Sequence, residues 1–215
     1  MIRKILEVGL LKTLVFNYRY FGKNGLKLPA LISRKVVLSR LAGDVKVENS
    51  SFGCIHIGFS SAGIFDYKKE RAIWENSGTV WFDTKATLGQ GVRISNQGDV
   101  KFGKNARVMA NTSIVCHESI SFGDDVLISW ECLFMDTDFH KLLDASREIR
   151  NTDKPIVVGD KVWICCRTTI LKGTTLGNDV VVAAGSVISG KRVDEHHCLI
   201  GPQGKVIKRE INWLQ

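Results

Sequence analysis

The sequence predicts an all-β protein wound as a coil of short strands, because apolar residues recur at every sixth position. In the C-terminal half, the ladder runs without a break through Val158, Ile164, Ile170, Leu176, Val182 and Ile188. The residue four positions after each of the first five is small or β-branched: Val162, Thr168, Thr174, Val180 and Ser186. A period of six fits neither an α-helix nor a simple strand, so it indicates a repeat architecture.

The same repeat extends upstream. Five segments share an apolar residue, Gly, two mostly polar residues, and then Val or Ala; they begin at Leu88, Phe102, Phe122, Val158 and Leu176. Gly, Asn and Asp suit tight corners, where the backbone often needs a positive φ. The first three segments are separated by 14 and 20 residues, which predicts two-residue bulges near Val100 and Ile120. Since one coil cannot bury its interior alone, stacked coils must share a core.

One segment interrupts the ladder. Continuing the six-residue step from Phe134 places the polar residues His140, Ser146 and Thr152 at core positions. Residues 136–155 are therefore predicted to leave the coil as an extruded loop. Loops of this length within a compact domain usually have a function.

The N-terminal part of the chain is predicted to be a separate basic region. Residues 1–49 contain ten Lys or Arg and three acidic residues, and so supply +7 of the net charge of +8. Residues 1–21 approximate a helix with apolar positions at Ile2, Ile5, Leu6, Leu10, Leu14 and Val15. Such a helix either lies on a membrane surface or caps the end of the coil, and both alternatives remain open. We therefore divide the chain into a helical or capping region (1–50), the coil (51–204) and a basic C-terminal tail (205–215).

Composition narrows the class of protein. The hydrophobic content of 44% is ordinary for a globular domain, and no stretch reaches the ~20 apolar residues of a membrane span. The six cysteines form no C-x-x-C pair, and the N-terminus lacks the features of a secretory signal. We expect reduced thiols and a cytoplasmic protein, placed at the inner face of the membrane if the helix binds lipid. No nucleic-acid-binding motif is present, so we expect no nucleic-acid partner.

Three features in combination resemble the left-handed β-helix acyltransferases: the hexapeptide repeats, Asp136-Thr-Asp-Phe-His140, and Val162-Trp-Ile-Cys-Cys166. Within that family, the sugar O-acetyltransferases of bacterial surface-polysaccharide synthesis are the most similar, over roughly residues 80–209. The resemblance implies a left-handed parallel β-helix that forms a homotrimer with active sites between subunits. It also implies acetyl-CoA as co-substrate, no metal, and a sugar or glycan acceptor.

His140 is the predicted general base, since imidazole titrates near neutral pH and can accept the proton of an attacking hydroxyl. The resemblance places the family's catalytic histidine at this position. Asp138 and Asp136 are both placed to orient the His140 ring or to contact sugar hydroxyls. We assign Asp138 to the catalytic group, and Asp136 and Asn111 to acceptor binding. The resemblance assigns seven residues to the coenzyme: Trp163, Cys166, Ala184, Ser189, Lys205, Lys208 and Arg209. The Cys165-Cys166 pair replaces the small residues that are usual in the family. The identity of the acyl group that is transferred therefore stays open.

Two other functions remain as alternatives. An N-acyltransferase acting on a nucleotide-linked amino sugar would share the fold and the coenzyme. A non-catalytic β-helix scaffold would not bind coenzyme A. The related γ-type carbonic anhydrases hold zinc with three histidines. In this chain His117 and His140 stand at such positions, but Ala145 occupies the third, and His196 and His197 lie near the end of the coil with no clear partner. We therefore expect no zinc site.

Overall fold

The structure, a computed structural model, describes residues 6–60 and 62–214. Its helices include the α-helix α1 (Leu10–Phe21) and the 3-10 helices Gly22–Lys27 and Pro202–Gly204. The strands of the first four coils are β1 (Ala30–Ile32), β2 (Val36–Leu41), β3 (Asp44–Val47), β4 (Ile55–Phe59), β5 (Ala72–Asn76), β6 (Thr79–Phe82), β7 (Ala86–Gly89), β8 (Arg93–Asn96), β9 (Asp99–Phe102), β10 (Ala106–Val108), β11 (Ser113–Cys116) and β12 (Ser119–Phe122). Those that follow are β13 (Leu127–Ile128), β14 (Leu133–Met135), β15 (Ile156–Val158), β16 (Trp163–Ile164), β17 (Thr169–Leu171), β18 (Thr175–Leu176), β19 (Val180–Val182), β20 (Val187–Ile188), β21 (Arg192–Val193), β22 (Cys198–Ile200) and β23 (Val206–Arg209).

The strands stack as three sheets around a common core. Sheet 1 has the order β1-β4-β7-β10-β13-β16-β19-β22-β23, sheet 2 the order β2-β5-β8-β11-β14-β17-β20, and sheet 3 the order β3-β6-β9-β12-β15-β18-β21. Each strand from β1 to β19 pairs in parallel with the third strand after it, and β23 is antiparallel to β22. Three strands therefore make one coil of a three-sided prism, and the predicted parallel coil is confirmed. We call the edges of this prism corner 1–2, corner 2–3 and corner 3–1, after the sheets that meet there.

The repeat positions fill the interior, as predicted. All six residues of the ladder from Val158 to Ile188 are at most 2% exposed, and the small residues between them are fully buried. Phe82, Phe102 and Phe122 stack in one column, with ring centroids 5.2 and 5.3 Å apart. Interactions between neighbouring coils therefore hold the core together, as the repeat architecture requires.

Helix α1 closes the open end of the first coil. The Phe16 ring is fully buried and packs edge-on against Trp74, with centroids 5.2 Å apart. Asn17 binds the edge of β1 through both polar atoms: its Nδ2 donates to the Ala30 carbonyl (2.7 Å), and its Oδ1 accepts from the Ala30 N–H (3.1 Å). The Ile32 N–H donates to Thr13 Oγ1 (3.0 Å). These contacts support the capping alternative for the N-terminal region.

The face of α1 that contacts the coil differs from the predicted one. The buried positions are Thr13, Phe16 and Asn17, whereas Leu10 and Leu14 are 76% and 52% exposed. Polar side chains face the coil because they satisfy the unpaired backbone groups of β1, an edge strand. The predicted positions Ile2 and Ile5 lie outside the described residues.

The coil begins earlier than predicted. Ala30 of β1 pairs with Ile55, Val36 of β2 with Ala72, and Asp44 of β3 with Thr79. The predicted boundary at residue 51 is therefore too late, because residues 30–47 already form a complete coil. This first coil lacks the apolar-Gly segment that marks the later ones.

Two irregularities at corner 2–3 position the candidate site. Paired residues on sheet 2, such as Ile94 and Ile114, are 20 residues apart, and the extra residues form bends at 97–98 and 117–118. These bends lie two or three residues before the predicted bulges. At the same corner, one coil further along, β14 ends at Met135 and β15 begins at Ile156, so the loop 136–155 leaves the coil directly beside the 117–118 bend.

Candidate active site

Asp136, the first residue of the loop, is fixed to the corner of the preceding coil. Its carboxylate accepts hydrogen bonds from the backbone N–H groups of His117 (2.7 Å) and Glu118 (2.9 Å), and the Cys116 thiol donates to it at 3.4 Å. Asp136 is fully buried. The prediction that it contacts the acceptor is therefore corrected, because its oxygens bind the backbone instead of facing the cavity.

Asp138 braces the loop against the next coil. Its carboxylate accepts from Lys172 Nζ and from Asn151 Nδ2 (2.8 Å). Lys172 also donates to the carbonyls of Asn151 (2.9 Å) and Thr152 (3.2 Å). The Lys172 ammonium, with help from Asn151, holds the pKa of Asp138 below its ordinary value of 3.8. The Asp138 carboxylate thus contacts Lys172 and Asn151 rather than the His140 ring, one of the two partners predicted for it.

The backbone of His140 is held on both sides, while its side chain is exposed. The His140 N–H donates to the Asp138 carbonyl (2.6 Å), and the His140 carbonyl accepts from Asn151 Nδ2 (2.8 Å). The preceding residue, Phe139, has a φ of 59°, a left-handed conformation that is uncommon for an aromatic residue. Asn151 therefore links the Asp138 carboxylate to the backbone that carries the imidazole.

His140 and His117 line the same cavity, which has a volume of about 290 Å³. Its other lining residues are Thr137, Phe139, Lys141, Ile149, Asn151, Thr152 and Asp153. His117 Nδ1 lies 3.7 Å from a carboxylate oxygen of Asp153, and its ring packs edge-on against Phe139 at 5.1 Å. Its Nε2 is buried and has no hydrogen-bond partner among the described residues. A small cavity with two imidazoles, hydroxyl and amide groups, and an aromatic ring suits a ligand rich in hydroxyls.

In the described part of the chain, no group of three or more His, Cys, Asp or Glu residues is arranged to hold a metal ion. Burial raises the pKa of Cys132 to about 12 and of Cys165 to about 11, and burial beside Asp136 raises the pKa of Cys116 further. These three thiols are therefore protonated near neutral pH.

Most of the residues predicted for the coenzyme lie on other sides of the prism from His140. Trp163 projects from sheet 1, where its Nε1 donates to Ser129 Oγ (3.1 Å) and its ring lies 5.9 Å from that of Trp213 in the C-terminal tail. Trp213 is itself tied to the Lys161 carbonyl at 2.9 Å. Lys208 lies in the same outward row as Trp163, since the strand register runs from Trp163 through Val181 and Leu199 to Lys208. Sheet 1 thus has an aromatic residue and a cation on one face.

The remaining predicted residues are divided between the corners and the C-terminal segment. Cys166 and the exposed Ala184 lie at corner 1–2, and the exposed Ser189 lies at corner 2–3. Lys205 and Arg209 are exposed near the C-terminus, where Arg209 lies 3.8 Å from Glu195. Within one chain, the structure therefore does not bring the coenzyme residues of sheet 1 and corner 1–2 together with His140.

Asn111 belongs to a column of corner residues with left-handed backbone. This column at corner 1–2 comprises Gly91, Asn111, Glu131, Arg167 and Gly185, with φ between 58° and 69°. Asn is among the residues that tolerate this conformation best. The structure places Asn111 at a different corner from His140 within one chain, and its contact with the acceptor stays a prediction.

Sequence reasoning missed the residues that brace the loop. The six-residue repeat could have indicated Lys172. It places this residue at corner 2–3, in the coil that directly follows the one from which the loop leaves. Asn151 and Asp153 offered no such signal, since they lie inside a loop where the six-residue repeat does not apply.

Comparison with known proteins places this arrangement in a family. Residues 155–190 match the family described as bacterial transferase hexapeptide (six repeats). The Escherichia coli (strain K12) galactoside O-acetyltransferase is 31% identical over 147 residues, which are 67% of this chain and 70% of that protein. The "Putative lipopolysaccharide biosynthesis O-acetyl transferase WbbJ" of the same organism is 30% identical over 146 residues, or 62% and 74% of the two chains.

A solved structure shares the fold. The polySia-specific acetyltransferase NeuO superposes with a TM-score of 0.54 and 18% sequence identity, over 84% of this chain and 72% of that chain. This chain belongs to the bacterial hexapeptide-repeat acetyltransferases, and its fold is the left-handed parallel β-helix that the resemblance predicted. The protein is therefore an acyl-transferring enzyme.

Proposed function

We propose that the protein transfers the acetyl group of acetyl-CoA to a hydroxyl of a sugar or glycan intermediate in surface-polysaccharide synthesis. The observation that carries this proposal is the cavity at corner 2–3, where an exposed imidazole on a braced loop adjoins polar groups suited to hydroxyls. The O-acetyltransferase names of the two relatives support the same reaction.

His140 acts as the general base in this proposal. Its imidazole accepts the proton of the acceptor hydroxyl while the hydroxyl oxygen attacks the carbonyl carbon of the thioester. The tetrahedral intermediate then collapses by breaking the C–S bond, and the thiol of coenzyme A leaves with the proton returned from the imidazolium. Asp138, Lys172 and Asn151 are positioning residues, because they hold the backbone that carries His140 rather than the reacting atoms.

Acetyl-CoA fits the residues predicted for it in chemical character. Lys208 and Trp163 lie in one outward row of sheet 1, and Lys205 and Arg209 add positive charge close to its end. Cations suit the phosphates of a coenzyme, and an aromatic ring suits its apolar arm. In this assignment Cys166, Ala184 and Ser189 contact the arm through exposed or half-buried corner positions.

The separation of His140 from sheet 1 supports a site shared between chains. We propose a homotrimer in which the loop of one subunit faces sheet 1 and corner 1–2 of its neighbour. Asn111, at corner 1–2, then reaches the acceptor that His140 of the neighbouring subunit activates. A variant mixture tests this assembly: His140→Ala and Trp163→Ala proteins, each inactive alone, should regain activity when their subunits are mixed and reassembled.

The acceptor is tested by comparing hydroxyl and amine substrates. We expect acetyl transfer from acetyl-CoA to sugars with free hydroxyls, giving products that mild alkali cleaves because they are esters. An alkali-stable amide formed only with amino sugars would show an N-acyltransferase instead. If calorimetry shows no binding of coenzyme A, both the O-acetyltransferase and the N-acyltransferase assignments are contradicted. A non-catalytic β-helix scaffold would then be favoured.

We also place the enzyme in the cytoplasm, at the inner face of the membrane. All six cysteines are free, as expected for a reducing compartment. None of the helices in the described residues is long and apolar enough to cross a bilayer. Cell fractionation tests this placement, and recovery in an extracellular fraction would contradict it.

A further inference from the structure

The outer face of α1 exposes an unusual amount of apolar surface. Leu11 and Tyr18 are 74% and 75% exposed, and Leu14 and Val15 are about half exposed. These residues follow helical spacing and lie opposite the buried side that contains Phe16 and Asn17. Leu6, Leu10 and Leu26 extend the exposed surface at the two ends of the helix. We call the surface formed by Leu10, Leu11, Leu14, Val15 and Tyr18 the outer apolar face.

The capping contacts fix this orientation. The hydrogen bonds of Thr13 and Asn17 to β1 hold the polar side of the helix against the coil. Rolling the leucines inward would break those bonds and leave backbone groups of an edge strand without partners, which is costly in a buried position. The outer apolar face is therefore built into the fold and cannot be relieved by turning the helix.

Positive charge surrounds this face. Arg19, Lys23 and Lys27 are exposed beside it or in the 3-10 helix that follows. The one acidic residue between positions 6 and 29 is Glu7, which is 4% exposed and accepts a hydrogen bond from the Ser60 N–H at 2.9 Å. The exposed charges of this segment are thus all cationic, which disfavours a basic partner and favours an anionic one.

We propose that the outer apolar face of α1 docks in the plane of an anionic lipid bilayer, with Lys23 and Lys27 at the headgroups, since Arg19 donates to the Ala42 carbonyl of the coil (2.8 Å). A helix with an exposed apolar face, a cationic border and no exposed acid has the features of an interfacial helix. This inference deepens the proposed membrane location, but it does not depend on acetyl transfer. The helix caps the first coil, whereas the His140 loop leaves the fifth, roughly 19 Å away at about 4.8 Å per coil.

Vesicle sedimentation with the full chain tests the proposal. The wild-type protein should sediment with vesicles of phosphatidylcholine mixed with phosphatidylglycerol, and weakly with phosphatidylcholine alone. Leu11→Gln/Leu14→Gln should reduce the partition coefficient by an order of magnitude or more, because two exposed leucines no longer enter the interface. Lys23→Gln/Lys27→Gln should reduce it by on the order of tenfold, and only on the anionic vesicles.

A matched control separates this effect from a general loss of apolar surface. Ile64 and Leu214 are 71% and 97% exposed and lie outside α1, so Ile64→Gln/Leu214→Gln should bind vesicles like the wild type. All variants should keep their turnover of a soluble acceptor, which distinguishes failure of docking from failure of the enzyme. Equal binding of wild type and Leu11→Gln/Leu14→Gln would overturn the proposal. Self-association through this face without vesicle binding would also overturn the proposal, because the outer apolar face would then bind a second copy of this chain.

Discussion

The carboxylate of Asp136 lies 2.7 Å from the backbone nitrogen of His117, one coil below it. This hydrogen bond joins the start of the extruded loop to the bend that carries the second histidine of the cavity. The same carboxylate also accepts from Glu118, so one buried side chain fixes both the bend and the loop. The positions of His117 and His140 are therefore coupled through Asp136.

Replacing Asp136 by Asn should destabilise the protein strongly for a single-atom change. The amide loses the charge-assisted hydrogen bonds and directs an N–H₂ group toward a backbone donor. We expect a fall of about 2 kcal/mol or more in the free energy of unfolding, measured by denaturant titration. Asp138→Asn, at a more exposed carboxylate, serves as control and should cost less than about 1 kcal/mol. Equal losses of unfolding free energy in the two variants would show that the burial of Asp136 does not add to its contribution to stability.

Removing the Lys172 ammonium should loosen the loop without unfolding the coil. In Lys172→Met we expect faster tryptic cleavage after Lys141, Arg147 and Arg150, which are exposed. We also expect kcat/KM to fall by about tenfold to a hundredfold, because misplacing a catalytic group is costly. An unchanged cleavage rate would contradict the bracing role.

The pH dependence of this brace follows from the lowered pKa of Asp138. A carboxyl with a depressed folded-state pKa contributes stability above its unfolded value of 3.8, and loses it as pH falls through the folded pKa. We therefore expect the rate at which trypsin cleaves the wild-type loop to stay constant from about pH 8 to about pH 5, after correction for the activity of trypsin at each pH. A loss of protection within that range would point to another titrating group.

His117→Gln should weaken acceptor use more than coenzyme use. His117 Nε2 is buried, has no partner in the described residues, and belongs to a ring that lines the cavity. Glutamine keeps a polar group but not the ring, so we expect kcat/KM for the acceptor to fall by about tenfold while the affinity for acetyl-CoA stays the same. A matching loss of coenzyme affinity would place His117 in another role.

The sequence predicted the core and the loop better than the ends of the coil. The ladder from Val158 to Ile188 fixed which side chains are inside, because one apolar residue per six must be buried in such a coil. The orientation of α1 could not be predicted from apolar spacing, since polar Thr13 and Asn17 face inward to satisfy β1. The brace around Asp138 also escaped prediction, because its partners come from a loop and from the next coil.

The cysteines give a further test of burial. With a pKa of about 11, Cys165 is only about one part in a thousand thiolate at pH 8. Iodoacetamide should therefore label it about two orders of magnitude more slowly than an exposed thiol, and the rate should rise about tenfold per pH unit below the pKa. Mass spectrometry of the native and denatured protein measures this. Rapid native labelling of Cys165 would show that its environment is more open.

The most direct test of the proposed mechanism is the acetyl transfer rate of His140→Ala with a hydroxyl acceptor. If His140 is the general base, kcat should fall by about a hundredfold to ten-thousandfold. Coenzyme A affinity, the assembly state and the free energy of unfolding should stay close to those of the wild type, because the side chain is exposed. Activity retained within a few fold of the wild type would contradict the assignment of His140 and of the cavity at corner 2–3.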